Sequence, residues 1–127
     1  MTKRWISATV VAALCGGGLI WTGAATAGTL ADTTVTIKAE GTDLSGTISS
    51  PRPRRCAKDR KVVVFKQAGS EQDPSVDEKI ASDTASRSGD VYRWSTGNTG
   101  MTGKFYARAA RTADCKPDTS RTVRATN

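Results

Sequence analysis

The chain contains no histidine. Without an imidazole, Ser-His-Asp and Cys-His nucleophilic arrangements are excluded, and the commonest metal ligand is missing. Cysteine is scarce as well, at three in 127 residues, with no pair in a CxxC spacing. A zinc centre of the usual kind therefore has no ligand set. Aromatic residues are few, and only Phe65, Tyr92, Trp94, Phe105 and Tyr106 lie beyond residue 27. A domain built on so few rings has a thin core. Beyond the N-terminal segment no stretch keeps a helical period, and the composition shows no linker, internal repeat or second domain.

What the sequence does have begins at its start. Lys3 and Arg4 precede an apolar run from Trp5 to Trp21, after which the chain turns small and polar at TGAATAG. This is the layout of a secretory signal peptide, with Ala25-Thr26-Ala27 as its cleavage site. The expected organisation is a signal helix over residues 1–27 and a single domain over 28–127. A membrane anchor, left in place if the leader is not cleaved, is the alternative. Gly16-Gly17-Gly18 weakens such a helix, and no basic stop-transfer residues follow closely. Lipid attachment at Cys15 is disfavoured by the bulky Leu14 before it.

Cleavage removes Cys15 and leaves Cys56 and Cys115, an even count in an oxidising compartment, where one disulfide is the default expectation. Closing a loop of about 60 residues stabilises by about 4 kcal/mol in the chain-entropy treatment. Residues 28–127 carry seventeen basic and twelve acidic side chains, an excess of five positive charges. Such basicity favours solubility and attraction to anionic surfaces. Nucleic acid is not an expected partner, because exported proteins meet little of it and no aromatic-rich basic sheet face is evident.

The segments suited to strands are short, rich in Val, Ile, Thr and aromatics, and separated by Gly, Pro, Asn and Asp. TTVTIKAE sets Val35 and Ile37 against Thr34, Thr36 and Lys38, a half-buried strand, and LSGTISS puts Leu44, Gly46 and Ile48 on one side. KVVVFKQ is apolar on both faces, as a central strand requires. A polar loop from Ala68 to Val76 leads to a short strand around Lys79–Ser82. A turn at Ser88-Gly89 precedes a strand with Tyr92 and Trp94 on one side. KFYARAAR alternates Phe105, Ala107 and Ala109 against Tyr106, Arg108 and Ala110, and SRTVRAT closes the chain. About seven strands in about 100 residues is the size of an all-β, two-sheet, Ig-like sandwich.

The order LSGTISS, a basic segment with Cys56, DRKVVVFKQ, IASDTASRSGDVYRW, GKFYARAARTADCK and SRTVRAT resembles the small secreted bacterial domains with a transthyretin-like, or carboxypeptidase-regulatory-like, β-sandwich. The match covers nearly the whole of residues 28–127 and rests on structural positions. It implies a prealbumin-type sandwich and no catalysis. Ser86 stands where an acid is common in that pattern, which removes support for a metal site there. The Lys–Asn isopeptide bond of related pilin-type domains finds no partners, since Lys38 is matched only by Asn98 in a turn and Asn127 at the terminus.

The segment SSPRPRRCAKDRK, residues 49–61, packs six basic side chains into thirteen positions. Arg52, Arg54, Arg55, Lys58 and Arg60 are the candidate anion- or partner-binding residues, because clustered guanidinium groups pair with carboxylate and phosphate. Pro51 and Pro53 are expected to hold this loop extended with its side chains splayed. The plainer alternative is a solvated loop whose charges discourage edge pairing. Glu71, Asp73, Asp77 and Glu78 form the main acidic cluster, read as a solvated face or a counterpart to the basic loop. Their spacing does not match a calcium loop of the EF-hand kind. Tyr92, Trp94 and Tyr106 offer a sugar-stacking alternative, set against a core role for the first two. The expected function is a secreted, non-catalytic structural or binding module at the cell envelope or outside the cell, without cofactor or metal, whose partner is an anionic envelope polymer or a protein. The membrane enters only through an uncleaved leader.

Overall fold

Side-chain alternation sorts the chain into two layers. In β3 (Asp43–Ser49), Leu44 and Ile48 are buried while Asp43 and Ser49 face water. In β4 (Lys61–Lys66), Val62 and Val64 are buried beneath one face and Phe65 beneath the other, the two-sided pattern of a central strand. The computed structural model describes residues 29–127, of which Ala31–Asn127 form one compact unit. The expected signal helix over 1–27 lies outside the described residues.

Two antiparallel sheets make the sandwich. The first runs from an interrupted edge, β1 (Thr34–Val35) and β2 (Lys38–Glu40), through β3 and β7 (Val91–Asn98) to β6 (Ser86–Ser88). The second runs from another interrupted edge, β9 (Asp118–Thr119) and β10 (Val123–Ala125), through β8 (Gly103–Ala109) and β4 to β5 (Glu78–Thr84). Leu44, Ile48, Val62, Val64, Trp94 and Phe105 lead the core between them. Ala107 and Ala109 are also fully buried, small residues where the sheets approach. The seven expected strands are present. The additions are β6, which the turn at Gly89 folds back on β7, and the two-residue β9.

The first sheet has one point of extreme closeness. Between β1 and β2 the Thr36 carbonyl accepts a hydrogen bond from the buried Trp94 indole at 3.1 Å. It does so across Gly46, which pairs with Trp94 in the β3–β7 ladder. A Cβ at Gly46 would lie 1.9 Å from that carbonyl oxygen and 2.8 Å from the indole nitrogen. Gly46 thus lets the only tryptophan of the described residues enter the core with its N–H satisfied.

The second sheet carries an outer layer that alternation alone does not show. Phe65 and Tyr106 are register partners, and their rings stack at 5.2 Å between centroids on the face away from the main core. Residues 67–77 fold over them. Asp77 holds this roof, accepting from the Tyr106 hydroxyl at 2.6 Å, from Ala68 N–H at 3.0 Å and from Asp73 N–H at 2.8 Å. Gln72 donates to the Ser120 carbonyl, and Lys104 to the Gly69 carbonyl.

Gly46→Ala is expected to force the edge strand and the Trp94 ring apart, at the upper end of the ~1–3 kcal/mol cost of overpacking. Urea unfolding monitored by Trp94 fluorescence checks it. An unchanged midpoint would show that the edge strand yields freely.

Candidate functional site

The connection from β3 to β4 crosses from one sheet to the other at one end of the sandwich, and it is not extended. Pro53 opens a helical turn, α1 (Pro53–Cys56), since proline at the first helical position has a suitable φ and lacks only an N–H that would go unused there. The Arg52 carbonyl accepts from Arg55 N–H at 3.1 Å and Cys56 N–H at 2.8 Å. The expectation of a splayed, extended loop is corrected accordingly.

Cys56 and Cys115 form the disulfide, 59 residues apart in sequence and both buried. Ala31 joins the same corner by bridging to Cys115, and its N–H donates to the Asp114 carbonyl at 3.0 Å. Arg60 completes it. Its guanidinium donates to the carbonyls of Cys56 (2.9 Å), Ala110 (2.7 Å) and Lys116 (2.9 Å) and to the Thr33 hydroxyl (3.1 Å). Only 5% of the residue is exposed, and burial pushes its pKa below the usual arginine value. Arg60 is therefore removed from the candidate binding residues. Its donors are turned inward and occupied.

Arg52, Arg54, Arg55 and Lys58 do face solvent. Arg55 approaches Asp114 at 3.8 Å, both largely exposed, a pair of small energetic weight. Arg52, Arg54 and Lys58 have no carboxylate partner among the described residues. The structure adds cations that sequence order kept apart. Arg87, on β6, joins Arg54, Lys58 and Tyr92 around a shallow groove of about 410 Å³. On the other side of α1, Lys61 and Arg111 line a hollow with Arg55 and Lys58. Turn chemistry at Ser88-Gly89 is the one sequence signal that returns Arg87 to this end. Arg111 gives no such signal.

The other two candidate groups are rearranged. Asp77 leaves the acidic cluster, since only 7% of it is exposed and its carboxylate is bound within the roof. No group of three His, Cys, Asp or Glu side chains among the described residues is placed to hold a metal ion. Trp94 and Tyr106 are buried at 1% and 0% exposure, which leaves Tyr92 as the one partly open ring of the three. Two buried rings present no face to a sugar, so the stacking platform is withdrawn. No helix among the described residues is long and apolar enough to cross a membrane.

Compared with family models and with curated proteins, the chain matches none.

Two predictions concern groups reassigned to structure. Arg60→Met is expected to cost about 3 kcal/mol, because it strands carbonyls that the guanidinium satisfies. Arg60→Lys should recover little, as an ammonium lacks the planar fork that reaches several acceptors together. Thermal melts of both variants decide this, and full recovery by lysine would refute the forked arrangement. The second is pH dependence. The Tyr106 hydroxyl, then the N–H groups of Asp73 and Ala68, hold the Asp77 carboxyl below the usual carboxylate range. Its stabilising effect is complete above the unfolded-state value of about 3.9 and is lost as pH falls through the lower folded value. Burial, then the bond to Asp77, raises the Tyr106 pKa. That contribution is complete below about 10 and is lost as pH climbs beyond it. Asp77→Asn should flatten the acid limb of stability against pH, and Tyr106→Phe the alkaline limb. Limbs identical to the unmodified protein would overturn the assignment.

Proposed function

We propose that the protein is an exported, non-catalytic β-sandwich module of transthyretin-like type that holds an anionic partner of the cell envelope on its cationic end. The observation that carries this reading is the trio Arg52, Arg54 and Lys58. They are exposed, lack ion-pair partners among the described residues, and stand on a turn anchored by the Cys56–Cys115 disulfide and by Arg60. Cations held on a fixed backbone lose little conformational freedom on binding, so more of each contact survives as affinity. Two further features support export: the leader-like layout of residues 1–27, and a disulfide, which is compatible with an oxidising compartment. The absence of histidine from the whole sequence removes the usual acid–base partner of a nucleophile.

The domain starting at residue 28 should bind immobilised polyglycerol phosphate, with an affinity that falls as salt rises. The triple variant Arg52→Ala, Arg54→Ala, Lys58→Ala should bind at least about tenfold more weakly, taking ~0.5 kcal/mol for each exposed pair lost. Equal binding by the variant and the unmodified domain would defeat the proposal.

A further inference from the structure

The excess charge of the domain is not spread over its surface. Beside Arg52, Arg54, Arg55 and Lys58 on and around α1 stand Arg87 from the β6–β7 hairpin and Lys61 and Arg111 from the neighbouring hollow. The only acids lining these three concavities are Asp59 and Asp114. The inward-facing Arg60 also lines the hollow, and Asp90 lies in the adjoining one with Pro53 and Tyr92, so eight cations stand against three acids, an excess of five that equals the whole excess of residues 28–127. The remaining basic and acidic side chains of the domain, nine of each, balance. The sandwich is thus electrically polarised along its length, with all of its net charge at the disulfide end.

The chain also enters the fold at that end. Ala31 is stitched on both sides, its N–H donating to Asp114 and its carbonyl accepting from Lys116 N–H at 2.8 Å. Asp32 pairs with Lys116 at 2.9 Å. The side chains at that end suit a headgroup layer. The cations come from both sheets and the connections between strands, Tyr92 lines a groove with Arg54, Lys58 and Arg87, and Val91, 39% exposed, lies in the adjoining hollow with Pro53 and Asp90. An apolar residue and a half-buried tyrosine beside cations are the composition found at the membrane–water boundary.

We infer that the cationic end docks on an anionic phospholipid surface, with Arg52, Arg54, Arg55, Lys58, Arg87 and Arg111 facing the phosphate groups. This rests on the reading of that end as an anion-binding site and names the anion. The attraction is a surface effect of clustered charge, worth about fivefold in partitioning for each Lys or Arg near the headgroups, and it fades within a Debye length.

The test is cosedimentation of the domain from residue 28, which contains both sheets, the core and the disulfide, with two kinds of vesicle. One is equal parts phosphatidylglycerol and phosphatidylcholine, and the other is phosphatidylcholine alone. Binding to the first and not the second is expected. The Arg52→Ala, Arg54→Ala, Lys58→Ala variant should lose about a hundredfold in partitioning. A charge-matched control at exposed sites elsewhere, Lys79→Ala, Arg93→Ala, Arg121→Ala, should bind like the unmodified domain. If the control loses as much as the first variant, net charge alone is responsible and the docking end is refuted. Failure to bind phosphatidylglycerol vesicles while polyglycerol phosphate is still bound overturns the lipid assignment and leaves the broader proposal standing. Loss of both overturns the two together.

Discussion

A buried guanidinium with no carboxylate beside it holds one end of this sandwich together. Cys56 in α1, Ala110 and Lys116 on the connection from β8 to β9, and Thr33 just before β1 lie on three separate segments, and Arg60 binds an oxygen of each residue. Segments that cross from sheet to sheet cannot satisfy all their carbonyls in a ladder, and a buried carbonyl left unpaired costs about 1–3 kcal/mol. One planar fork answers three of them from a single point. The positive charge is compensated by carbonyl dipoles in place of an anion, which avoids bringing a second desolvated ion into the corner.

The disulfide works on the same corner by a different route. It chiefly limits the unfolded chain, whereas Arg60 acts only once the three segments have converged. Neither substitutes for the other. The disulfide joins α1 to the segment after β8, and Arg60 adds the approach to β1, while Asp59 N–H and the Arg60 carbonyl tie in Ala85 between β5 and β6 at 3.1 and 2.8 Å. The approach to β1, the β5–β6 link and the connection after β8 are thereby bound to the β3–β4 connection. The opposite end is joined by scattered single bonds, such as the backbone bond from Thr99 N–H to the Thr42 carbonyl at 3.0 Å and the local one from Gly100 N–H to the Asn98 side chain at 2.8 Å.

The sandwich was legible in the sequence because a two-residue period survives in short segments: Val35 with Ile37, Leu44 with Ile48, and Phe105 with Ala107 and Ala109 all point inward as alternation requires. The disulfide was legible from cysteine parity. Tyr106 was placed on the correct face, away from the main core, but its burial was not foreseen. A roof over an outer face depends on where a polar loop lands, and residues 67–77 have the composition of a solvated turn. The hint lay in Phe65, a second large apolar side chain on that same outer face. Arg60 was harder still, for nothing local separates it from the five other cations of its segment. Two of the three carbonyls that set its inward direction lie fifty and fifty-six residues further along the chain.

Those cations nonetheless follow a rule that the folded segment makes plain. Along residues 54–60 the buried positions are Cys56, Ala57 and Arg60, and the exposed ones are Arg54, Arg55, Lys58 and Asp59. One tight turn has an inner and an outer side. The inner side must carry the disulfide, a residue small enough to lie against the core, and a donor for the converging carbonyls. The outer side has no packing to do, so its charges are set free of the fold by the same geometry that fixes its backbone. Closure of the sandwich and concentration of its charge at one end are therefore two consequences of a single crossing connection. A substitution on the inner side should register first in stability, and one on the outer side first in attraction to anions.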